Sequence, residues 1–250
     1  MIPIKNAEQL RLMKDAGRIT AETLLYAEEC LRPGMTTKEL DDKIHAFIVK
    51  SGARPSFLGY AGFPGSACIS LNEQVIHGIP SHDVIIREGD IVKIDVGACY
   101  RGYHGDSART FAVGTVSEEA LKLIRVTRES FYIGVGFAKA GNRVGDIGHA
   151  IEAYVTENGF SVVRKYIGHG VGKELHEDPE VPNFGTAGRG ARLYPGMTLA
   201  IEPMVNVGTA NVSELRDGWT VVTADKKLSA HYENTVAVTA DGPIILTEAK

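Results

Sequence analysis

The stretch Ile91 to Val113, IVKIDVGACYRGYHGDSARTFAV, decides how the chain is read. In its first arm Val92, Ile94, Val96 and Ala98 alternate with Lys93, Asp95, Gly97 and Cys99. In its second arm Ser107, Arg109, Phe111 and Val113 alternate with Asp106, Ala108 and Thr110. A period of two in both arms predicts a pair of strands, and Gly102 and Gly105 supply the reversal between them. With the turn centred on Tyr100 and Arg101, opposed residue numbers sum to 201, which sets Asp95 directly against Asp106. Their Cβ atoms would then lie about 5 Å apart, where two unit charges repel by roughly 3 kcal/mol at an effective dielectric near 20. Such a pair calls for a cation or a shared proton, and a metal is the simplest compensation. The other reading of this stretch is a surface hairpin in looser register, with both aspartates solvated.

The rest of the composition narrows the class. A chain of 250 residues with 44% hydrophobic and 23% charged content can bury a large core as one domain or two close halves. A net charge of −4, without runs of like charge, offers no footprint for nucleic acid or an anionic membrane. Cys30, Cys68 and Cys99 are odd in number and form no CxxC pair, which fits buried thiols in a reducing compartment. The segment MIPIKNAEQL lacks an apolar h-region and no stretch approaches 18 apolar residues. These features predict an untargeted cytoplasmic protein.

Helix signals surround the hairpin. Asn6 with Gln9, and Thr36 with Glu39, form capping boxes, the first opening a helix that ends near Leu31 before Pro33-Gly34. The second opens a helix whose stripe is Leu40, Ile44, Phe47 and Ile48, closed by Ser51-Gly52. Short strands follow over 67–71 and 74–77. Ser117 caps a third helix running to about Lys139, and 141–159 holds a fourth with Ile147, Ile151, Tyr154 and Val155 as its stripe. A shift of 107 in numbering lays the second stripe on the fourth, Gly34 on Gly141, Gly52 on Gly159, Gly89 on Gly196, Ile94 on Ile201 and Asp95 on Glu202. This predicts an internal duplication, approximately 6–113 and 117–240, within a single catalytic domain over 1–250. A second hairpin is then expected to follow Glu202, and HYENTVAV (231–238) alternates so that Glu233 corresponds to Asp106, with an insertion around Asn206 to Lys227.

Two related halves would gather Asp95, Asp106, Glu202 and Glu233 around one centre, a cluster that needs about two divalent cations away from water. The segment IGHGVGKELHEDP adds His169 and His176 in a glycine-rich stretch where backbone can pass close to a site. One imidazole among hard oxygens suits Mn(II), Fe(II), Co(II) or Zn(II) and argues against a structural Ca(II) site. His45, His82, His104 and His149 read as ordinary polar groups.

The segments NEQVIHGIP, KIDVG, YHGDSARTF, GHGVGKELHEDP, IEPM and HYENTVAV, in that order, make the chain resemble the type I methionine aminopeptidases of the short bacterial kind. The resemblance spans nearly the whole chain. It implies an α+β pita-bread fold, in which two pseudo-two-fold-related halves pack helices outside a curved antiparallel sheet. It implies a dinuclear site in which Asp106 and Glu233 bridge, Asp95 completes one metal, and His169 with Glu202 complete the other. It gives Glu202 a part in proton transfer and places His77 and His176 beside the scissile peptide. By the same resemblance Tyr60, Phe63, Cys68, His77, His176 and Trp219 form the substrate pocket, with Phe57 and Leu175 standing where other members carry cysteine and phenylalanine.

The implied activity is removal of an N-terminal methionine from nascent proteins whose second residue is small, by a monomer that associates with the ribosome; Met1, ahead of Ile2, would then be kept. Two alternatives share the fold. A pita-bread aminopeptidase acting before proline usually carries a large amino-terminal domain, whereas the catalytic repeat here begins at residue 6. A non-catalytic peptide-binding module of this fold loses metal ligands, and all five are present.

Overall fold

The computed structural model describes residues 2–249, so Met1, whose retention is expected above, and Lys250 lie outside the described residues. The chain runs through α1 (Ala7–Cys30), α2 (Thr37–Lys50), β1 (Arg54–Pro55), β2 (Ala67–Leu71), β3 (Gln74–Ile76), β4 (Ile91–Tyr100) and β5 (Tyr103–Ala112). It continues through α3 (Glu118–Val135), α4 (Val144–Glu157), β6 (Ser161–Val162), β7 (Gly168–Gly170), β8 (Glu177–Val181), β9 (Thr198–Ile201) and β10 (Met204–Asn206). It ends with β11 (Val212–Glu214), β12 (Val221–Thr223), β13 (Ser229–His231), β14 (Asn234–Thr239) and β15 (Gly242–Ile245).

Both capping boxes form: the Asn6 and Thr36 side chains accept from the backbone of Gln9 and Glu39, whose side chains reach back to the cap N–H groups. Ser117 caps α3 as expected, but the helix stops at Val135 rather than near Lys139, with Gly134 and Gly136 at its frayed end.

The β4–β5 hairpin exists in a different register from the one the sequence suggests. Opposed numbers sum to 203, so Asp95 faces Ala108 and Asp106 faces Gly97. The turn is Arg101-Gly102, with φ of 51° and 80°, the two consecutive positive values that a two-residue hairpin loop matching the strand twist requires. A one-residue slip would have put the two aspartates on opposite faces, but a two-residue shift preserves the face. Asp95 and Asp106 are therefore diagonal neighbours on one side of the sheet rather than a direct pair.

A second, interrupted hairpin carries the glutamates. The pairs β9·β14 and β10·β13 share one register, with Ile201 opposite Asn234 and Met204 opposite His231. Pairing breaks between them, over 202–203 and 232–233, and Glu202 and Glu233 stand in that break. The two hairpins then join edge to edge. Ala108 and Glu233 exchange backbone hydrogen bonds of 3.3 and 3.0 Å. The Asp106 N–H donates to Thr235 Oγ1 and Thr235 Oγ1 donates to the Asp106 carbonyl, both at 3.0 Å. Thr110 Oγ1 donates to the His231 carbonyl at 2.8 Å and accepts from the His231 N–H at 2.9 Å. This seam brings carboxylates 127 positions apart in sequence to one point.

Element bounds follow the shift of 107: α2 (37–50) falls on α4 (144–157) and β1 (54–55) on β6 (161–162). Gly34 and Gly141 have φ of 89° and 95°, and Gly89 and Gly196 have 90° and 92°. Separate apolar cores serve the two regions, one around Ile19, Leu40, Ile44, Ile69 and Ile94, the other around Leu123, Phe131, Ile147, Ile151, Leu199 and Ile201. No helix among the described residues is long and apolar enough to cross a membrane.

Candidate metal centre and cleft

The backbone arrangement converges four acidic side chains and two imidazoles. Asp95 lies on β4, Asp106 on β5 and His169 on β7, while Glu202 follows β9 and Glu233 precedes β14. Asp106, His169 and Glu233 each offer a ligand atom, all within 4.8 Å of one another. His169 Nε2 is 3.7 Å from Asp106 Oδ2 and 3.6 Å from Glu202 Oε1. Strand β7 can pass this close because it is GHG: a Cβ on Gly168 would sit 2.3 Å from the Ala200 carbonyl oxygen, and one on Gly170 would sit 2.2 Å from that of Asp178.

Burial sets the electrostatics. It pushes the Asp106 carboxyl up to about 7 against the pull of the Ser107 N–H bond. It raises Asp95, Glu202 and Glu233 well above the carboxylate range, with the charge of Asp106 the next cause for each. Burial also lowers His169 to about 3, helped by the nearby His176, so the imidazole is neutral. Its Nδ1–H donates to the Gly170 carbonyl at 2.8 Å, which leaves the Nε2 lone pair facing two carboxylates. A lone pair aimed at anions is repulsive without a cation between them, and this tautomer is that of a metal-ligating histidine. Asp95 Oδ1, Asp106 Oδ1 and Glu233 Oε1 are buried without a hydrogen-bond partner. These orphaned oxygens and the oriented imidazole together fit a divalent cation.

A cleft opens beside this centre. Every residue expected in the substrate pocket lines it, as do the five expected ligands. Phe57, Phe63, Cys68 and Leu175 form one buried apolar cluster with Ile79 and Trp219 packed against it. Phe63 and Trp219 meet edge to face with centroids 5.1 Å apart. Cys68 pairs with Asp95 in the β2–β4 ladder, so pocket and metal centre share a strand boundary. His77 has φ of 57°, a strained value for a residue with a Cβ, which ends β3 one residue earlier than expected. Burial and His176 lower His77 to about 4. The Tyr60 hydroxyl lies 2.8 Å from His176 Nδ1, and the His169 and His176 rings are 4.0 Å apart.

A model of metallopeptidase family M24 matches residues 11–240. The chain belongs to that family. It is 58% identical to a methionine aminopeptidase of Clostridium perfringens over 250 residues, covering 100% of each. The crystal structure of methionine aminopeptidase from Thermotoga maritima matches with a TM-score of 0.97 at 44% identity, over 99% of this chain and 100% of that one. Prolidase from Pyrococcus furiosus matches with a TM-score of 0.81 at 26% identity, but only 66% of that chain is covered. The architecture is the α+β pita-bread fold, and membership of a metallopeptidase family carries the use of divalent metal.

Two features of this M24 site escape sequence reasoning. The insertion in the second half folds into the β11–β12 hairpin, and β12 pairs with β3, which carries Trp219 across to the cleft. His231 is fully buried and its Nε2 lies 3.8 Å from Glu202 Oε2 and 3.9 Å from Glu233 Oε2. The signal was available: a period of two places His231 on the face of Glu233. Of the histidines read as ordinary, His104 is satisfied by Ser56 Oγ at 2.8 Å and His45 by Ser66 Oγ at 2.9 Å.

The buried carboxyls predict how metal and protons compete. Between pH 6 and 8 the metal-free site gives up protons that the raised carboxyls hold, and a cation must displace any that remain. Each displaced proton strengthens apparent affinity about tenfold per pH unit. The gain in Tm on adding Mn(II) to chelator-treated protein therefore increases from pH 6 to pH 8. Taking the difference between loaded and free protein cancels Lys93, which burial lowers to about 7, and the depressed His77. A gain that is flat or shrinks with pH contradicts the assignment.

Proposed function

We infer that this chain is a methionine aminopeptidase, hydrolysing the first peptide bond of proteins that begin with methionine and have a small second residue. The observation that carries the reading is the contact between an apolar, aromatic-walled pocket and a cluster of unpartnered carboxylates. A methionine side chain is unbranched and its sulfur packs well against aromatic edges, which Phe63 and Trp219 present.

We propose Asp95, Asp106, His169, Glu202 and Glu233 as the residues that would hold two divalent cations, Asp106 and Glu233 being the two that could serve both. Mn, Fe(II), Co and Zn all suit this donor set. When bound, such cations polarise a carbonyl and lower the pKa of water. The remaining steps fall to side chains. Glu202 would take the proton released when water attacks the carbonyl carbon and deliver it to the peptide nitrogen, which departs as the amine when the C–N bond breaks. Partial desolvation lowers the basicity of His176, which favours its neutral form, and we assign the Tyr60 hydroxyl, 2.8 Å away, as the donor to its Nδ1. Its Nε2–H is thereby directed to the oxygen that gains charge in the tetrahedral intermediate. His77, which also lines the cleft, hydrogen-bonds at the peptide nitrogen.

The two halves 6–113 and 117–240 are proposed to derive from a duplication within one catalytic domain, supported by the coincident element bounds and matching positive-φ glycines. A cytoplasmic monomer meeting nascent chains at the ribosome is the setting this activity implies.

Chelator-treated protein, reloaded separately with each metal, should cleave Met-Ala-Ser and leave Ala-Pro-Ala intact. The reverse preference would assign the site to proline-directed chemistry, and absence of cleavage with every metal would leave a binding module. Because residue two must fit between the metal centre and the cleft wall, Met-Ile-Ser should be cleaved at least 10²-fold more slowly than Met-Ala-Ser, a difference of about 3 kcal/mol. Intact mass of the protein from its natural host should accordingly retain Met1 ahead of Ile2. Removal of Met1 would show that the pocket admits a β-branched second residue.

A further inference from the structure

His231 has no assigned part in the reading above, yet it is 2% exposed and neither of its ring nitrogens has a hydrogen-bond partner. A buried imidazole is rarely left with both nitrogens unpaired. Two carboxylate oxygens lie within 4 Å of its Nε2, Oε2 of Glu202 at 3.8 Å and Oε2 of Glu233 at 3.9 Å. These separations exceed hydrogen-bond reach by roughly 1 Å, a gap that a small carboxylate rotation closes. The backbone cannot drift to relieve it, since Thr110 Oγ1 grips both the N–H and the carbonyl of His231.

Glu202 lies between two imidazoles. Its Oε1 faces His169 Nε2 and its Oε2 faces His231 Nε2. The terminal torsion of a glutamate is broad and roughly two-fold, so packing alone does not select which oxygen turns toward a ligand. An imidazole with its proton on Nε2 would select it, and two anionic acceptors on that side favour this tautomer over protonation at Nδ1.

We propose that His231 is a positioning residue: its Nε2–H, aimed between Oε2 of Glu202 and Oε2 of Glu233, fixes which oxygen each glutamate presents to the metal. The proposal rests on the assignment of Glu202 and Glu233 as ligands. It predicts that the hydrogen-bond donor matters and the ring does not. His231→Gln keeps a donor at similar reach, whereas His231→Leu keeps the bulk and removes it.

The test is Co(II) binding to chelator-treated wild-type, H231Q and H231L proteins, followed by calorimetry and by visible absorption, which reports coordination geometry. Outer-shell partners of metal ligands typically contribute 10- to 100-fold in affinity. H231L should bind Co(II) 10- to 100-fold more weakly with an altered spectrum, and H231Q should stay within about threefold of wild type. Equal affinity and spectra in wild type and H231L would overturn the proposal, as would H231Q behaving like H231L. Failure of wild type to bind Co(II) would instead overturn the ligand assignment, so the two failures are distinct. Nitrogen-15 NMR of histidine-labelled, Zn(II)-loaded wild type gives a second readout that does not depend on H231L folding. A proton on Nε2 of His231 is expected, and a proton on Nδ1 would exclude the role.

Discussion

Replacing His176 with alanine leaves the metal in place and slows turnover by about 10²-fold or more, the range for one donor to a developing oxyanion. His176 is not needed to orient the ligand beside it, because His169 is held through its own Nδ1 bond to the Gly170 carbonyl. What the substitution removes is the proposed N–H donor, whose ring contacts the Tyr60 hydroxyl through Nδ1, and a donor in that role strengthens its bond only as charge builds on the substrate oxygen. The loss should therefore fall on kcat, with KM nearly unchanged. Tyr60→Phe should reproduce part of the defect by freeing the tautomer while keeping the ring stacked 5.2 Å from the imidazole. Metal content by mass spectrometry, kcat and KM on Met-Ala-Ser decide the matter. Loss of metal from His176→Ala would move this residue from catalysis to ligation.

The parts of the site that were readable from sequence are those where a local rule meets a long-range one. Alternation placed Asp95 and Asp106 on one face, and that survives the register error because faces repeat every two residues. The register itself was not readable, since Tyr100-Arg101 and Arg101-Gly102 are both plausible loops and only backbone φ decides between them. Glu202 was reached through the matching stripes of α2 and α4, whose bounds follow the same shift. Trp219 was reached by resemblance alone, because its position depends on the pairing of β12 with β3, a contact across about 145 residues that no periodicity encodes. Alternation places His231 on the face of Glu233, but that its imidazole lacks a partner is visible only when its neighbours are known. The tether on the residue after His176 is likewise invisible in the sequence: Lys5, ahead of α1, pairs with the largely buried side chain of Glu177, and nothing in the two segments marks them as partners.

Asp106→Asn should abolish activity, and its effect on stability should change sign with metal. Asp106 is locked by its backbone exchange with Thr235, and asparagine has nearly the same shape, so the substitution subtracts charge rather than structure. In the presence of Mn(II) the variant loses a shared anionic ligand, binds less metal per chain, and melts below wild type because less binding energy supports the fold. After chelation the order should reverse. The charge of Asp106 is among the causes that raise Asp95, Glu202 and Glu233, so in metal-free protein at pH 8 an ionised Asp106 opposes the ionisation of three neighbours. Removing it relieves that repulsion, and the amide adds donors to a site with orphaned carboxylate oxygens. At pH 5.5, where Asp106 with its pKa near 7 is already largely protonated in the folded chain, the metal-free advantage of the variant should shrink. Melting temperatures of both proteins, with Mn(II) and with chelator at pH 5.5 and 8, test the crossing. Should metal-free Asp106→Asn melt below wild type at pH 8, repulsion among these carboxylates is not what the cation relieves, and the electrostatic account of the centre fails.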